Sequence, residues 1–285
     1  LMPVTSMAFS NGWGYAPNHI FSVESMLGGR HGLMKFVRAC HQHGIGVILD
    51  VVYNHFYGDT DLWRFDGWSE NDRGGIYFYN DERGDTPWGG RPDYGRPEVR
   101  QFILDNVAMW FAEYHIDGFH LAGVNYCEEI VRDPYLLNSK FIFSNKIYDI
   151  RSENIISMDY DYMNNMRKYL KGDEGMIPFV SNAVSDKNGY LNFIADINGF
   201  SLADIYKYDY KHNDANGEDN ADGSNMNFSW NCGFEGDTKK LQVLNLRKKM
   251  YLNAVLLLMI SRGAVGVCSG DEVLQSKDGN NNTYC

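Results

Sequence analysis

Apolar residues recur along this chain in two patterns: short unbroken runs, and longer stretches at helical spacing. The clearest run is GIGVILDVVYNH, residues 44 to 55, where Val47, Ile48, Leu49, Val51 and Val52 flank a single Asp50. Such a run suits a parallel strand buried on both faces. It closes on polar residues, Asn54 and His55. Before it, Leu1 to Met7 reads as a short buried strand and residues 11 to 29 as a loop rich in Gly, Pro and aromatics. Leu33, Phe36, Val37 and Cys40 then predict an amphipathic helix over residues 31 to 43. Strand, loop, helix and strand in that order is the repeating unit of a parallel α/β sheet.

Residues 56 to 97 are irregular and rich in Gly, with Trp63, Phe65, Trp68, Tyr77, Phe78, Tyr79 and Trp88 among them. A long loop with that aromatic content is expected to shape a cleft. Pro97 opens a helix whose inward face reads Val99, Phe102, Ile103, Val107, Trp110, Phe111 and Tyr114. Further strands are predicted at 116 to 124, at Lys140 to Phe143, at Asn192 to Asp196 and at Ala264 to Cys268, with a helix from Tyr162 to Lys171. Residues 209 to 232 are Asn-, Asp- and Gly-rich and read locally as a flexible linker. A calcium loop starting at Asp214 is rejected, because Asp219 stands where Gly is needed and Asn225 where Glu is needed. Thr238 is placed to cap a long helix to about Ser261, with Leu241, Leu244, Leu252, Val255 and Met259 inward.

Charge narrows the partners. The chain of 285 residues carries a net charge of −11, which argues against nucleic acid. The 19 Tyr and 6 Trp provide flat faces that can stack on sugar rings, although most belong to the core. Cys40, Cys127, Cys232, Cys268 and Cys285 are an odd, widely spaced set with no C-x-x-C, which fits reduced thiols rather than disulfides or zinc. The run from Ala254 to Ile260 falls far short of the roughly 20 residues that span a bilayer, so no membrane partner is expected. A cytoplasmic location follows, with a plastid as the other option. The chain starts inside a predicted strand, so the true N-terminus is expected to be missing.

An aliphatic strand followed by D-V-V-x-N-H resembles the first signature of the α-amylase superfamily of glycoside hydrolases and transglycosylases. WGYAPNHIFSVES at 13 to 25 and EYHIDGF at 113 to 119 resemble its branching-enzyme and amylase-like members. NGFSLADIYKYDYKHNDANGEDN at 198 to 220 and SWNCGFEG at 229 to 236 resemble isoamylase and glycogen-debranching members. The resemblance covers nearly the whole chain. It implies one catalytic-type domain over residues 1 to 285, a (β/α)8 TIM barrel of which strands two to eight are present, incomplete at both ends. It also implies an α-glucan partner (starch, glycogen or malto-oligosaccharide) and no cofactor. Asn54 matches a position some relatives use near calcium, but no acidic partner set accompanies it, so no metal is assigned.

The same resemblance implies substrate-binding roles for Tyr15, Asp50, His55, His120 and Asn198. The family uses a nucleophilic Asp, an acid/base Glu and a third carboxylate, each at the end of a different strand. Here those positions hold Ala122, Ser144 and Asn198, and the Arg expected beside the nucleophile is His120. Neither Ala nor Ser can replace the carboxyl pair that retaining chemistry needs. The leading expectation is therefore an inactive member with a glucan-shaped cleft lined by Tyr15, Asp50, His55, Trp63 and Trp88. One alternative is an active debranching or branching enzyme using displaced carboxylates, for which Asp196, Glu128, Glu129 and Glu153 are the available neighbours. Asp196 would then share the face of Asn198 in one strand. Another alternative is a truncated or recombined chain with a structural role only.

Overall fold

The computed structural model describes residues 1–8, 12–57, 60, 62, 74–122, 128–144, 153–185 and 190–285. The chain divides into two compact units, Leu1–Ile156 and Ser157–Cys285. Trp63, Phe65, Trp68 and Cys127 lie outside the described residues.

In the first unit, β1 (Thr5–Met7) pairs antiparallel with β2 (Pro17–Val23). The loop expected at 11 to 29 thus contains a seven-residue strand. Its Pro, Asn and Ser hide the strand pattern, while Ile20 is buried. Helix α1 (Gly29–Gln42) follows and buries Leu33 and Val37. Next comes β3 (Ile48–Val52), two short strands β4 (Asp85–Thr86) and β5 (Gly89–Gly90), and helix α2 (Pro97–Tyr114). Strand β6 (Gly118–Ala122) lies between β3 and β7 (Lys140–Phe143), all parallel, as expected for the α/β class. A short helix α3 (Glu128–Arg132) separates β6 and β7.

Two features fix the register of these strands. A Cβ on Gly118 would sit 2.4 Å from the Lys140 carbonyl oxygen, so only Gly lets β6 and β7 approach this closely. The Asp117 carboxylate accepts the Val47 N–H at 2.6 Å and meets His41 Nε2 at 2.8 Å. It therefore ties the end of α1 and the start of β3 to the start of β6.

The α2 face is largely as expected, with one addition. Asn106 is fully buried among Val99, Ile103, Val107, Trp110 and Tyr114, while Phe102 and Phe111 are only partly covered. Its amide oxygen accepts the Tyr53 hydroxyl at 2.8 Å and the Trp110 indole N–H at 3.1 Å, and its NH2 donates to the Ile20 carbonyl at 2.8 Å. One amide thereby satisfies three buried polar groups from separate segments.

The second unit contains the end of β8 (Ile155–Met158), then α4 (Tyr160–Lys171), α5 (Ile177–Ser185), β9 (Tyr190–Asn192), α6 (Leu241–Ile260) and β10 (Ala264–Val265). Strand β9 runs parallel to β8 and β10. Asp159 caps α4 by accepting the Tyr162 N–H at 2.9 Å, and Gly172 in the left-handed region ends it. Strands β8 and helix α5 were not anticipated. Strand β9 ends at Asn192, so 193 to 196 do not form the expected strand although Phe193, Ile194 and Ala195 are buried.

The inward face of α6 differs from expectation. Leu241, Leu244, Leu252 and Met259 are exposed, whereas Arg247, Met250, Ala254 and Leu258 are buried. This helix is apolar on nearly every side, so spacing alone could not choose its core face. Arg247 goes inward because the carbonyls of Gly236, Asn231 and Phe234 receive its guanidinium.

Residues 209 to 232 are not a linker. Lys211 Nζ is buried and donates to the Asp222 carbonyl at 2.6 Å. Asn213 and Asn281 bond side chain to side chain at 2.9 Å, and Asn281 also reaches Asn227 and Ser224. Amides rather than aliphatics form this interior.

Asn106→Ala should lower stability by about 3 kcal/mol, because Tyr53, Trp110 and Ile20 each lose a buried partner. Urea denaturation of the folded chain measures this. An unchanged midpoint would mean that water replaces the amide.

Candidate functional site

Four segments of the first unit bring together most of the residues singled out in the sequence. Asp50 and His120 are register partners on β3 and β6. Their side chains meet at 2.8 Å, Oδ1 to Nδ1, and each is 18% exposed. The other Asp50 oxygen accepts the Tyr15 hydroxyl at 2.6 Å. His120 Nε2 lies 2.9 Å from Ser144 Oγ, immediately after β7. His55 joins from the end of the β3 segment, with Nε2 2.9 Å from the Tyr15 carbonyl.

Proton positions follow from these partners. An ionised carboxylate only accepts, so Nδ1 of neutral His120 carries the hydrogen. Nε2 is then bare and accepts the Ser144 hydroxyl. By the same logic His55 donates from Nε2 to the carbonyl of Tyr15. Its Nδ1 is buried with no hydrogen-bond partner among the described residues.

Burial by itself would raise the Asp50 pKa. The hydrogen bonds from His120 and the Tyr15 hydroxyl outweigh it and hold the carboxyl below its ordinary value. Asp50 is thus an anion and not a proton donor at neutral pH. Burial pushes His55 below its ordinary value, and the Tyr15 carbonyl only partly opposes this. Trp88 sits against His55 with ring centroids 5.5 Å apart and is 59% exposed. It presents a free aromatic face beside buried polar groups. Trp63, expected in the same cleft, lies outside the described residues.

Ala122 is the last residue of β6, and its main chain pairs with Val52. Asn198 belongs to the second unit, where it is exposed. Asp196 does not share a strand face with Asn198, because both follow the end of β9 in a turn. Burial raises the Asp196 carboxyl, opposed by the charges of Arg167 and Lys277. Arg167 is itself buried, and burial lowers it to about 10. Glu129 pairs with Arg100 at 3.0 Å, Glu153 is exposed, and nothing is described of the Glu128 side chain. No three His, Cys, Asp or Glu side chains converge as a metal cluster among the described residues. No described helix is long and apolar enough to cross a membrane.

Sequence reasoning named every member of the cluster but not its wiring. The spacing of Asp50 and Tyr15 gave no hint of a hydrogen bond between them. Only the shared register of β3 and β6 brings His120 to Asp50.

No protein-family model matches the chain. Isoamylase 3, chloroplastic, from Oryza sativa subsp. japonica is 32% identical across 96% of this chain and 41% of its own length. The glycogen debranching enzyme of Erwinia tasmaniensis is 31% identical over 98% of the chain and 48% of its own. Pullulanase from Bacillus acidopullulyticus superposes with a TM-score of 0.74 at 19% identity, over 100% of this chain and 38% of that one. The pullulanase type I of Bacillus subtilis, complexed with maltose, gives 0.71 at 19%, over 100% and 44%.

Over nearly its whole length the chain is similar to isoamylase and glycogen-debranching members of the α-amylase superfamily.

It spans less than half the length of these curated relatives. The superfamily's (β/α)8-barrel fold accounts for the parallel strands and helices seen here. Within that fold Asp50 and His120 stand mid-strand on β3 and β6, Ser144 directly follows β7, and Tyr15 reaches them from the segment before β2.

Acidification should weaken this site in two stages. His55 is lowered from 6.5, so the stability it contributes is full above 6.5 and declines as pH falls below it. Asp50 is lowered from 3.8, so its contribution survives to 3.8 and is lost below that. The thermal midpoint should therefore fall between about pH 7 and pH 5. His55→Gln should flatten that limb, and Asp50→Asn only the one below about pH 4. Equal slopes in wild type and His55→Gln would assign the upper limb elsewhere.

Proposed function

We propose that this chain is a glucan-binding member of the isoamylase and debranching branch that does not cleave glycosidic bonds. The observation that carries the reading is the polar contact set of His120, which among the described residues consists of Asp50 and Ser144. By resemblance a carboxyl acid would stand at 144 and a carboxylate nucleophile at 122. The chain has Ser144 and Ala122 there. Retaining hydrolysis needs two carboxyl groups about 5 to 5.5 Å apart, one of them protonated. Asp50 is the carboxylate of this cluster, and its partners keep it ionised.

The binding half of the proposal rests on Tyr15, Asp50 and His55 as sugar-hydroxyl partners and on Trp88 as a stacking face. Relatives named as isoamylases and glycogen debranching enzymes make an α-glucan the expected ligand, with starch or glycogen metabolism as its setting. Asn198 is the further candidate contact by resemblance. The location that follows is cytoplasmic, or plastid as in the chloroplastic relatives.

The competing reading is an active enzyme with a displaced carboxyl. One observation favours it: burial raises the Asp196 carboxyl, the direction a general acid needs.

Calorimetry with maltoheptaose and glycogen, with reducing-end and branching assays on the same sample, separates the two. Binding without turnover is expected, and Trp88→Ala should weaken it roughly tenfold. Turnover that disappears in Asp196→Asn would establish the competing reading. A folded chain that binds neither glucan would overturn both.

A further inference from the structure

We propose that Ser144 is an activated nucleophile for acyl transfer from carboxylic esters, with His120 as its base and Asp50 as the group that orients that base. The three side chains form one line of hydrogen bonds. Asp50 Oδ1 lies 2.8 Å from His120 Nδ1, and His120 Nε2 lies 2.9 Å from Ser144 Oγ. Both are within the reach that proton transfer needs. The order of atoms matters as much as the distances. A carboxylate on Nδ1 selects the tautomer with a bare Nε2, and the bare nitrogen faces the hydroxyl. The reverse tautomer would leave Ser144 without a base.

Three further observations suit the role. Asp50 and His120 sit on adjacent paired strands, a rigid mount, and Ser144 follows the next strand directly. Tyr15 holds the second Asp50 oxygen at 2.6 Å, which prevents the carboxylate from rotating away from the imidazole. Asp50 and His120 remain partly accessible, and Ser144 is half-buried, so a small electrophile can approach. This chemistry uses the same cluster as the glycosidic reading, with Ser144 at one of the vacated carboxylate positions, but it needs no carboxyl acid there.

The step balances without any outside oxidant or metal. Ser144 Oγ attacks the ester carbonyl carbon while its proton passes to His120 Nε2. The bond from that carbon to the alcohol oxygen breaks, and the departing alcohol takes the proton from Nε2. Water then attacks the acyl-serine by the same relay, releasing a carboxylic acid and restoring Ser144. Esters rather than amides are the expected class, because an alcohol leaves with less help than an amine.

The test uses an alkyl fluorophosphonate, whose phosphorus Ser144 Oγ would attack with loss of fluoride. The native chain should take up one label, and peptide mapping should place it on Ser144. The urea-unfolded chain should not be labelled, since the relay exists only when folded. Ser144→Ala should abolish labelling. His120→Gln, with its fold checked by circular dichroism, should slow it about 100-fold or more. p-Nitrophenyl acetate should give acetylation at the same residue. A label elsewhere, no label on the native chain, or equal rates in wild type and folded His120→Gln would each overturn the proposal. The native-chain mapping decides the matter even if a variant fails to fold.

Discussion

The contact between Asp50 and His120 is the constraint on which the rest of the site depends. It spans two neighbouring parallel strands at one register position, so it exists only while β3 and β6 hold their alignment. Gly118 and Asp117 set that alignment at the other end of β6, one through close approach and the other through hydrogen bonds. A one-residue slip would turn His120 to the opposite face of the strand. The carboxylate is taken from water at a cost, and His120 and Tyr15 together offset it. From there the order propagates outward. His120 reaches Ser144, and Tyr15 carries the loop that His55 also holds through the Tyr15 carbonyl. Four segments distant in sequence converge on two side chains.

This use of polar groups recurs throughout the molecule. Asn106 cross-links Tyr53, Trp110 and the β2 main chain, Lys211 gathers carbonyls, and Asn213 with Asn281 joins two loops. Asn106 serves two side chains and one strand carbonyl, while Lys211 satisfies loop carbonyls that would otherwise be buried unpaired. The second unit illustrates the cost of leaving helix and strand. It has long stretches without regular structure, and buried amides replace the ladder bonds those stretches lack. Such networks specify one arrangement more sharply than apolar packing, because removing any one member strands its neighbours.

Family resemblance and site chemistry lead in different directions here, and both have physical support. The superfamily's fold supplies strand ends on which side chains from different segments can meet. What they can do is set by the side chains present. A carboxylate pair would make glycosidic chemistry natural. A Ser, a His and an Asp in a hydrogen-bonded line favour proton transfer to and from a hydroxyl. One fold can carry either set, because function lives in the side chains placed on it.

The sequence alone determined the parts governed by local rules. A nearly continuous apolar run made β3, Pro97 opened α2, and the helix read from Tyr162 to Lys171 recovered most of α4. The resemblance also named Tyr15, Asp50, His55 and His120 as site residues. Only the tertiary structure decided the rest. It chose the core face of α6, because a helix apolar all round has no preferred side until a neighbour covers it. It found β2 in a Pro- and Asn-bearing stretch, since pairing with β1 outweighs weak intrinsic strand preference. It turned the Asn-rich 209 to 232 stretch into an ordered interior, because each amide needs a partner far along the chain. It also joined Asp50, His120 and Ser144 into a relay, since hydrogen bonds between residues 70 and 24 positions apart depend on register, which no local pattern encodes.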